Sequence, residues 1–542
     1  MLKGVMAVHN GKKWTGFPAT PDEKPVWDWP RSLQERAFSN APYKLHTTKT
    51  ANQFKERKGQ MDLFFQTPAT RASATFKYKQ VLVVGEQKKS YDTGRFKADL
   101  LQLTRYVRGV FTDQPTRRFV HGFTLCASTM ELWVFDRSGS YSSGPFDIHD
   151  EPDKLAHAIV GYATMDDDAM GLDTFIERKS GYRYATLDNA SGNESRTRLG
   201  APIVRQKAIV CRGTTCFKAG KGDVAKFSWA SDKRKLEVNQ LKLAEERGVK
   251  RVARVVAHRR ITTIADMREG LQFLERHRFQ NKDVPLDDPP LGTASVKTSS
   301  NKRESSSDYT SDASGSKRRR SNRQKSKLAT KFNEQLSITK TKPTGRIISD
   351  YETVEELLET MRDAIKVYQS LYIAGKILHR DISSNNIIIT DPKVADGFKG
   401  MLIDLDLAKV RDSSPSGARH QTGTLQFMAV EVLRKADHTY RYDLKSFFYV
   451  LLWMYLLRKW EMGSFKDIAR IKAGDMTVDG LEEIMGEFAD ALDAVKPLCL
   501  RIRKILFPLD KDERMSFGTP AGDPNQLYEH IIAAFDEAIR DG

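Results

Sequence analysis

Cysteine is scarce in this chain of 542 residues, in which it occurs only four times, as Cys126, Cys211, Cys216 and Cys499. The four lack the paired spacing of a zinc site, and they are too few for a disulfide framework in a chain of this length. Their scarcity argues against a small disulfide-rich secreted protein and favours a reducing compartment.

Long apolar runs are missing as well. The longest, FFYVLLWMYLL at residues 447–457, is well short of the ~20 residues that a membrane-spanning helix needs, and it predicts a buried core helix. The first residues, MLKGVMAVHNGKKW, contain no sustained apolar segment of the kind found in a secretory signal. We therefore expect an intracellular protein, nuclear or cytoplasmic, without a membrane partner.

Charge, in contrast, is abundant and unbalanced. Lys and Arg outnumber Asp and Glu by 88 to 70, a net charge of +18, which makes phosphorylated ligands and nucleic acid plausible partners. Part of the excess lies in residues 284–345, which are rich in Ser, Lys and Arg, lack aliphatic periodicity and predict a disordered insert. Within it, KRRRSNRQKSK at 317–327 resembles a nuclear import signal, with a solvating or phosphate-binding segment as the alternative.

The remaining sequence is long for one hydrophobic core and predicts several domains. Strand-like and helix-like segments alternate from Val81 onward, and a stretch rich in Ser, Asn, Arg and Gly separates them from two further strand-like runs. The predicted parts are an N-terminal extension at 1–59, an α/β accessory domain at 60–178, a linker at 179–200, a small lobe at 201–283, the insert at 284–345 and a large lobe at 346–540.

The stretch HRDISSNNIII at 379–389 carries the clearest chemistry. A helix-like segment, a turn with His-Arg-Asp, an Asn five residues after the Asp and an apolar strand form the layout of a protein-kinase catalytic loop. The segment MLID then ends in Asp404 at the distance of a hairpin. GTLQFMAVEVL at 423–433 and YDLKSFFYVLLWM at 442–454 follow in the order found in kinases.

Two upstream segments match more loosely. VAKF at 224–227 makes Lys226 the candidate phosphate-binding lysine, and Glu237 is its candidate partner on the following helix. The preceding CRGTTCFKA retains only Gly213 of a glycine-rich loop, with Cys211 and Cys216 where flanking glycines are expected.

Taken together, IVCRGTTCF, VAKFSW, HRDIS, LIDLDLA and GTLQFMAVEVL resemble the fungal-type protein kinase family. The resemblance extends to VVGEQK, RRFVHGFTL and LWVFDRSG near the N-terminus and covers most of residues 60–520. It implies an α+β, bilobal protein-kinase-like fold with an N-terminal α/β accessory domain, ATP and Mg²⁺ as cofactors, and a protein substrate hydroxyl.

The motifs suggest a role for each matched residue. Asp381 would orient the hydroxyl and accept its proton, Asn386 and Asp404 would hold Mg²⁺, and Lys226 would bind the α- and β-phosphates. Thr424 matches the threonine that contacts the catalytic aspartate in Ser/Thr kinases. The residues expected to be structural are His379, Glu431 and Asp443. Arg380 could bind a regulatory phosphate, for which the candidate acceptors are Ser413, Ser414, Ser416 and Thr422.

Departures from the kinase pattern leave two alternatives open. Ser383 stands where Ser/Thr kinases usually carry a lysine, and Asp406 replaces a glycine, so the chain could be a pseudokinase scaffold that binds nucleotide without turnover. The second alternative is a nucleic-acid-directed protein that uses the basic insert. In it, Asp62, Glu86 and Lys88 would form the D…E-x-K arrangement of restriction-type nucleases.

Overall fold

The computed structural model divides the chain into an N-terminal domain at residues 1–172, a small lobe at 173–345 and a large lobe at 346–541. The residues it describes are 1–48, 53–54, 61–68, 75–92, 94, 96–232, 234–271, 334–393, 395, 397–411, 423–455, 460–461, 463–512, 514–516, 518–519 and 522–541. Across these ranges, no helix combines the length and the apolar character needed to cross a bilayer.

The N-terminal domain is a sheet with helices on both faces. Its elements are α1 Leu2–Met6, α2 Glu23–Ala37, β1 Lys44–His46, β2 Leu63–Gln66, β3 Val81–Lys88, α3 Phe96–Asp113, β4 Phe119–Cys126, β5 Thr129–Asp136, β6 Gly139–Asp147 and α4 Pro152–Thr164. The described strands lie in chain order, and β3 and β4 run parallel because α3 crosses over between them. Helix α3 covers one face, and α1, α2 and α4 cover the other.

The predicted N-terminal extension, 1–59, is corrected by this packing. Trp14, Trp29 and Leu33 are buried in the same hydrophobic core as Leu82 and Phe123 of the sheet. Strand β1 also pairs with β2. These large apolar side chains gain stability by leaving water, so the first residues form part of the domain instead of a separate arm.

The small lobe is built on a second sheet. Its elements are β7 Ile176–Lys179, β8 Tyr182–Asn189, β9 Glu194–Leu199, β10 Pro202–Arg205, β11 Thr215–Lys218, β12 Val224–Ser231, α5 Glu237–Glu246, β13 Arg254–Thr263, α6 Ile264–Met267 and β14 Glu334–Lys342. The order of its described strands is β10-β11-β12-β14-β13-β8-β7, and β9 pairs with β8.

The predicted linker, 179–200, was wrong, because these residues form β8, β9 and the end of β7. Strand β8 buries Ala185 and Leu187 at alternate positions, as expected for a strand with one face on a core. Its polar residues also find partners within the sheet, since the Arg196 guanidinium lies 3.8 Å from the centre of the Tyr184 ring. A composition typical of loops therefore concealed a hairpin.

The predicted insert, 284–345, is too long at its C-terminal end. Strand β14 pairs with β12 on one side and β13 on the other, which places it in the middle of the sheet. It buries Leu336 and Ile338 on one face and Ser337 and Thr339 on the other. Because half of its buried side chains are hydroxylic, the strand lacks a continuous apolar run. The rest of the predicted insert, 284–333, lies outside the described residues.

The large lobe is mainly helical. Its elements are β15 Arg346–Ile347, α7 Val354–Ile373, β16 Ile377–Leu378, β17 Ile387–Ile389, β18 Gly400–Leu402, β19 Lys409–Val410, α8 Val430–Leu433, α9 Tyr440–Tyr455, α10 Phe465–Asp475, α11 Val478–Gly486, α12 Lys496–Leu506 and α13 Pro524–Asp541. Residues 447–455 of the long apolar run predicted to be a buried helix lie in α9, which is buried along most of its length; its last two residues lie outside the described residues. A helical lobe joined to strand-rich ones confirms the predicted α+β class.

Candidate active site

The candidate catalytic loop follows β16, and Asp443 of α9 binds its backbone. Asp443, fully buried, accepts hydrogen bonds from the backbone N–H of His379 at 3.1 Å and of Arg380 at 3.1 Å. His438 Nε2 lies 2.8 Å from the same carboxylate, and although burial raises the pKa of Asp443, His438 brings it below its ordinary value. Arg380 has φ +69°, an unfavourable backbone state for a side chain with a Cβ. Asp443 thus fixes the backbone immediately before Asp381.

Asp381 is buried and receives two hydrogen bonds from one residue. The backbone N–H and the hydroxyl of Thr424 both donate to Asp381 Oδ1, each at 2.8 Å. Gly423 permits this approach, since it has φ +119° and an added Cβ would lie 2.8 Å from the Arg380 carbonyl oxygen. Burial and the neighbouring Asp404 raise the pKa of Asp381.

The two predicted metal ligands lie at the ends of neighbouring strands. Ile387 of β17 pairs with Leu402 of β18, which places Asn386 and Asp404 side by side at the lobe boundary. Asn386 Nδ2 donates to the Asp381 carbonyl oxygen at 2.8 Å, so its amide oxygen is turned away from that carbonyl. Asp404 has φ +66°, a backbone state that aspartate tolerates better than most residues and that is common at functional sites.

Lys226 of β12 reaches the same point from the small lobe. Its ammonium group lies 2.8 Å from Glu237 Oε2, 3.1 Å from Asp404 Oδ1 and 3.0 Å from Asp406 Oδ2. Burial alone would lower the pKa of Lys226, but these carboxylates raise it well above its ordinary value. Burial also raises the pKa of Glu237 to about 7. The structure therefore forms the predicted Lys–Glu pair and adds Asp406 to it.

The acids around Lys226 are suited to a divalent cation. Carboxylate oxygens of Glu237, Asp404 and Asp406 all lie within 4.8 Å of one another. Burial would raise the pKa of Asp404, but Arg212 and Lys226 lower it well below its usual range, so the carboxylate stays ionised. Mg²⁺ is a hard cation that binds oxygen atoms, usually through one or two carboxylates together with phosphate oxygens and water. The donor set therefore fits the predicted metal.

Sequence reasoning overlooked Arg212, which lies next to Gly213 on the loop between β10 and β11. Its guanidinium is 2.7 Å from Asp406 Oδ2 and 3.3 Å from Asp404 Oδ1. Gly213 has φ +55° and faces the N-terminal domain, where an added Cβ would lie 2.8 Å from Arg137 Nε. The available signal was a basic residue inside a loop expected to surround phosphates.

The remaining candidates lie around this centre. Glu431 of α8 is bonded to Lys445 of α9 and ties the two helices together. Burial lowers the pKa of Lys445 to about 8, against the opposing effect of Glu431. Arg380 is buried, and its Nε lacks a partner among the described residues. The predicted phosphate acceptors Ser413, Ser414, Ser416 and Thr422 lie outside the described residues.

The D…E-x-K residues of the N-terminal domain also come together. Asp62 precedes β2 and lies opposite Glu86, because Leu63 pairs with Gly85. Glu86 is completely buried and bonded to Lys88. Burial raises the pKa of Asp62 to about 6, and burial together with Asp62 raises that of Glu86 to about 8. At neutral pH, the Glu86 carboxyl is thus largely protonated.

Comparison with known proteins agrees with the geometry. A protein of Oryza sativa subsp. japonica described as "Protein kinase and PP2C-like domain-containing protein" is 36% identical over 106 residues, which are 18% of this chain and 16% of that protein. The chain thus covers only a small part of this relative. The sequence model of the fungal protein kinases matches residues 60–455. Neither match supports the predicted nucleic-acid partner. With most of its length matched, the chain belongs to the fungal protein kinase family.

Proposed function

We propose that the protein is a Ser/Thr-type protein kinase that transfers the γ-phosphate of ATP to a protein hydroxyl. The observation that carries the proposal is the placement of Asp381, whose buried carboxylate accepts both bonds from Thr424 at 2.8 Å. The hydroxyl substrate requires a group that takes its proton, and burial together with Asp404 raises the pKa of Asp381 toward that role. Thr424 supports Ser and Thr as acceptors, as the family resemblance implies.

The transfer exchanges one phosphorus–oxygen bond for another. The substrate oxygen forms a bond to the γ-phosphorus, the bond from that phosphorus to the bridging oxygen breaks, and ADP leaves. Asp381 orients the hydroxyl and accepts its proton. Lys226, placed by Glu237 at 2.8 Å, binds the α- and β-phosphates.

The metal proposed for this site is Mg²⁺. Asn386 and Asp404 would hold it, and Asp406 adds a carboxylate within reach of Asp404. A bound cation would offset the negative charge on the phosphate oxygens. With the metal held there, Asp404 and Asp406 would no longer need Lys226 and Arg212 as their charge partners.

The test is γ-phosphate transfer from ATP with Mg²⁺, to the protein itself and to a mixed peptide library. We expect transfer to Ser and Thr peptides by the native chain. Asp381→Asn should lose transfer but still bind ATP, and Asp404→Asn should lose transfer and bind ATP more weakly in Mg²⁺. The exposed Asp479→Asn is the matched control and should behave as the native chain. A folded native chain that binds ATP but transfers no phosphate would contradict the proposal and favour the pseudokinase scaffold.

A further inference from the structure

The catalytic loop lacks the lysine that the kinase pattern places beside the transferred phosphate. Position 383, where the kinase pattern has a lysine, carries a serine whose uncharged side chain is buried. Phosphoryl transfer leaves negative charge on the oxygens of the moving group, and a nearby cation stabilises that charge. Ser383 cannot do this, so the cation must come from elsewhere if transfer is efficient.

Arg212 is placed where such a cation is needed. It reaches Asp406 at 2.7 Å and Asp404 at 3.3 Å from the opposite lobe. Its charge is also close enough to Asp381 to oppose the rise that burial and Asp404 cause in the pKa of that carboxyl. The guanidinium therefore lies among the proton acceptor and the candidate metal ligands, the region that the transferred phosphate must enter.

The charges of this cluster are out of balance. The carboxylates are Asp381, Asp404, Asp406 and Glu237. Among the described residues, Lys226 and Arg212 between them form ion pairs with the last three. When all are ionised, four negative charges face two positive ones, which leaves room for a divalent cation. If Asp404 and Asp406 held a divalent cation, the Arg212 guanidinium would be free to pair with another anion.

We propose that Arg212 is a second phosphate-binding cation of the nucleotide site, which replaces the one absent at Ser383, and that Arg137 positions the loop that carries it. The inference rests on the proposed function. In the structure, Arg212 is bonded to Asp404 and Asp406. With nucleotide bound, it turns to the terminal phosphates, whose oxygens accept paired hydrogen bonds from its planar fork.

Two features of Arg212 suit this exchange. Its side chain is 35% exposed, whereas that of Lys226 is 11% exposed, so the guanidinium can turn without repacking a core. Its backbone, in contrast, is fixed, because the carbonyl oxygen accepts a hydrogen bond from the Trp229 N–H at 2.7 Å. A fixed backbone with a movable guanidinium loses less entropy when phosphate binds.

The N-terminal domain braces the loop of Arg212. Arg137, in the turn between β5 and β6, is buried and donates to the Ala208 carbonyl oxygen at 2.8 Å. Its guanidinium lies 4.1 Å from the centre of the Phe111 ring. Gly213 packs so closely against Arg137 that an added Cβ would lie 2.8 Å from Nε. The N-terminal domain thus contacts the loop immediately on both sides of Arg212.

This bracing explains why the loop tolerates the loss of two glycines. The Cys211 thiol links the two sides of the loop. It donates to the Ala208 carbonyl oxygen at 3.2 Å and accepts from the Gly213 N–H at 3.3 Å. The conformation is therefore set by side chains and by the neighbouring domain. Arg137 is a positioning residue, since it acts on phosphate only through Arg212.

Titration calorimetry with ATP, ADP and adenosine, with and without Mg²⁺, tests the first part on the full chain. We expect Arg212→Ala to weaken ATP binding in Mg²⁺ by about 10- to 100-fold, the loss of a charge-assisted contact, and to leave adenosine binding unchanged. The ATP affinity of Arg212→Lys should lie between those of Arg212→Ala and the native chain. The control is Lys207→Ala, an exposed cation on the same loop, which should match the native chain.

The second part is tested by a double-mutant cycle. Arg137→Ala should weaken ATP binding in the native background but have little further effect in Arg212→Ala, and Arg137→Lys should recover part of the loss. Arg268→Ala is the control for the turn itself, because it removes the bond of Arg268 to Asp136 at 2.6 Å, next to Arg137, and leaves the donor groups of Arg137 in place. Melting curves establish that each variant is folded.

The outcomes separate the inference from the proposed function. If Arg212→Ala binds ATP as tightly as the native chain, or more tightly, Arg212 serves only to neutralise Asp404 and Asp406. The proposal that it binds phosphate is then overturned. If Arg137→Ala and Arg268→Ala behave alike, or the effects of Arg137 and Arg212 add, the second part is overturned. A native chain that binds ATP but transfers no phosphate refutes the kinase proposal, while the titrations still decide the role of Arg212. A native chain that binds no nucleotide overturns both.

Discussion

Removal of the Asp443 carboxylate should destabilise the protein and disable its catalytic loop at the same time. The carboxylate holds the N–H groups of His379 and Arg380, each at 3.1 Å. Hydrogen bonds to a charged group contribute about 1.5–3 kcal/mol each, so Asp443→Ala should lower the free energy of unfolding by about 3–6 kcal/mol. Asp443→Asn keeps one acceptor oxygen and should cost about half as much, by the same reasoning.

The effect on catalysis follows from the strained backbone at Arg380. Its φ of +69° costs about 1–2 kcal/mol, which the bond to Asp443 offsets. Without that bond the residue can return to negative φ and shift Asp381. A displacement of about 1 Å at a catalytic group can cost about 100-fold in rate, so kcat should fall by about that factor while KM for ATP changes far less.

The assays are urea unfolding followed by fluorescence, and peptide phosphorylation under saturating ATP. Asp443→Asn provides the kinetic data if the alanine variant does not fold. Glu482→Gln, an exposed substitution, is the control and should stay within about 0.5 kcal/mol of the native chain. If both Asp443 variants also stay within that range and keep native kcat, the clamp does not hold the loop and the reasoning is wrong.

Three further predictions follow from the pKa shifts. Glu237→Gln should weaken ATP binding more as the pH rises through 7, which calorimetry at several pH values measures. The pKa of Glu237 is about 7, so below that pH the native carboxyl and the glutamine amide are both uncharged. Glu86→Gln should raise the melting temperature relative to the native chain at pH 8 more than at pH 5. The raised pKa of Glu86, about 8, means that native stability falls as pH rises, by up to about 1.4 kcal/mol per pH unit. Thr424→Val removes a hydrogen bond that lowers the pKa of Asp381, so the acid limb of the kcat profile should shift to higher pH.

Each of these predictions has a control variant. Glu245 is exposed on α5, and Glu245→Gln should keep the native pH dependence of ATP binding. If the loss of ATP affinity in Glu237→Gln were the same at every pH, the raised pKa of Glu237 would not explain it. Glu35→Gln is exposed on α2 and should not change the slope of stability with pH. Thr424→Ser keeps the hydroxyl and should keep the native profile, so an equal shift in both variants would locate the effect elsewhere.

Local sequence was informative where chemistry depends on short spacing. The catalytic loop and the acid after the next strand are separated by a hairpin, and a hairpin brings its ends together whatever surrounds it. Asn386 and Asp404 could therefore be predicted as neighbours, and the structure places them at paired strand ends. The pairing of Lys226 with Glu237 was predicted from the match to the kinase motifs, and the two residues, 11 positions apart, lie in contact.

Composition misled where partners are distant in sequence. Residues 179–200 were interpreted as a linker because their side chains are polar, yet Arg196 stacks on Tyr184 across two paired strands. Strand β14 follows a long segment without apolar periodicity, and its place between β12 and β13 depends on neighbours far away along the chain. A strand whose buried positions are half hydroxylic can be recognised only with its sheet around it.

By itself, then, the sequence determined the order of the catalytic motifs, the acidic and basic side chains they contribute and the α+β class. Only the tertiary structure decided that Arg212 reaches Asp404 and Asp406 across the cleft and that Arg137 braces its loop from another domain. The physical reason is range: hydrogen-bonded hairpins and helix turns are set by neighbours a few residues apart, whereas an ion pair depends on distance in space and leaves no spacing in the sequence.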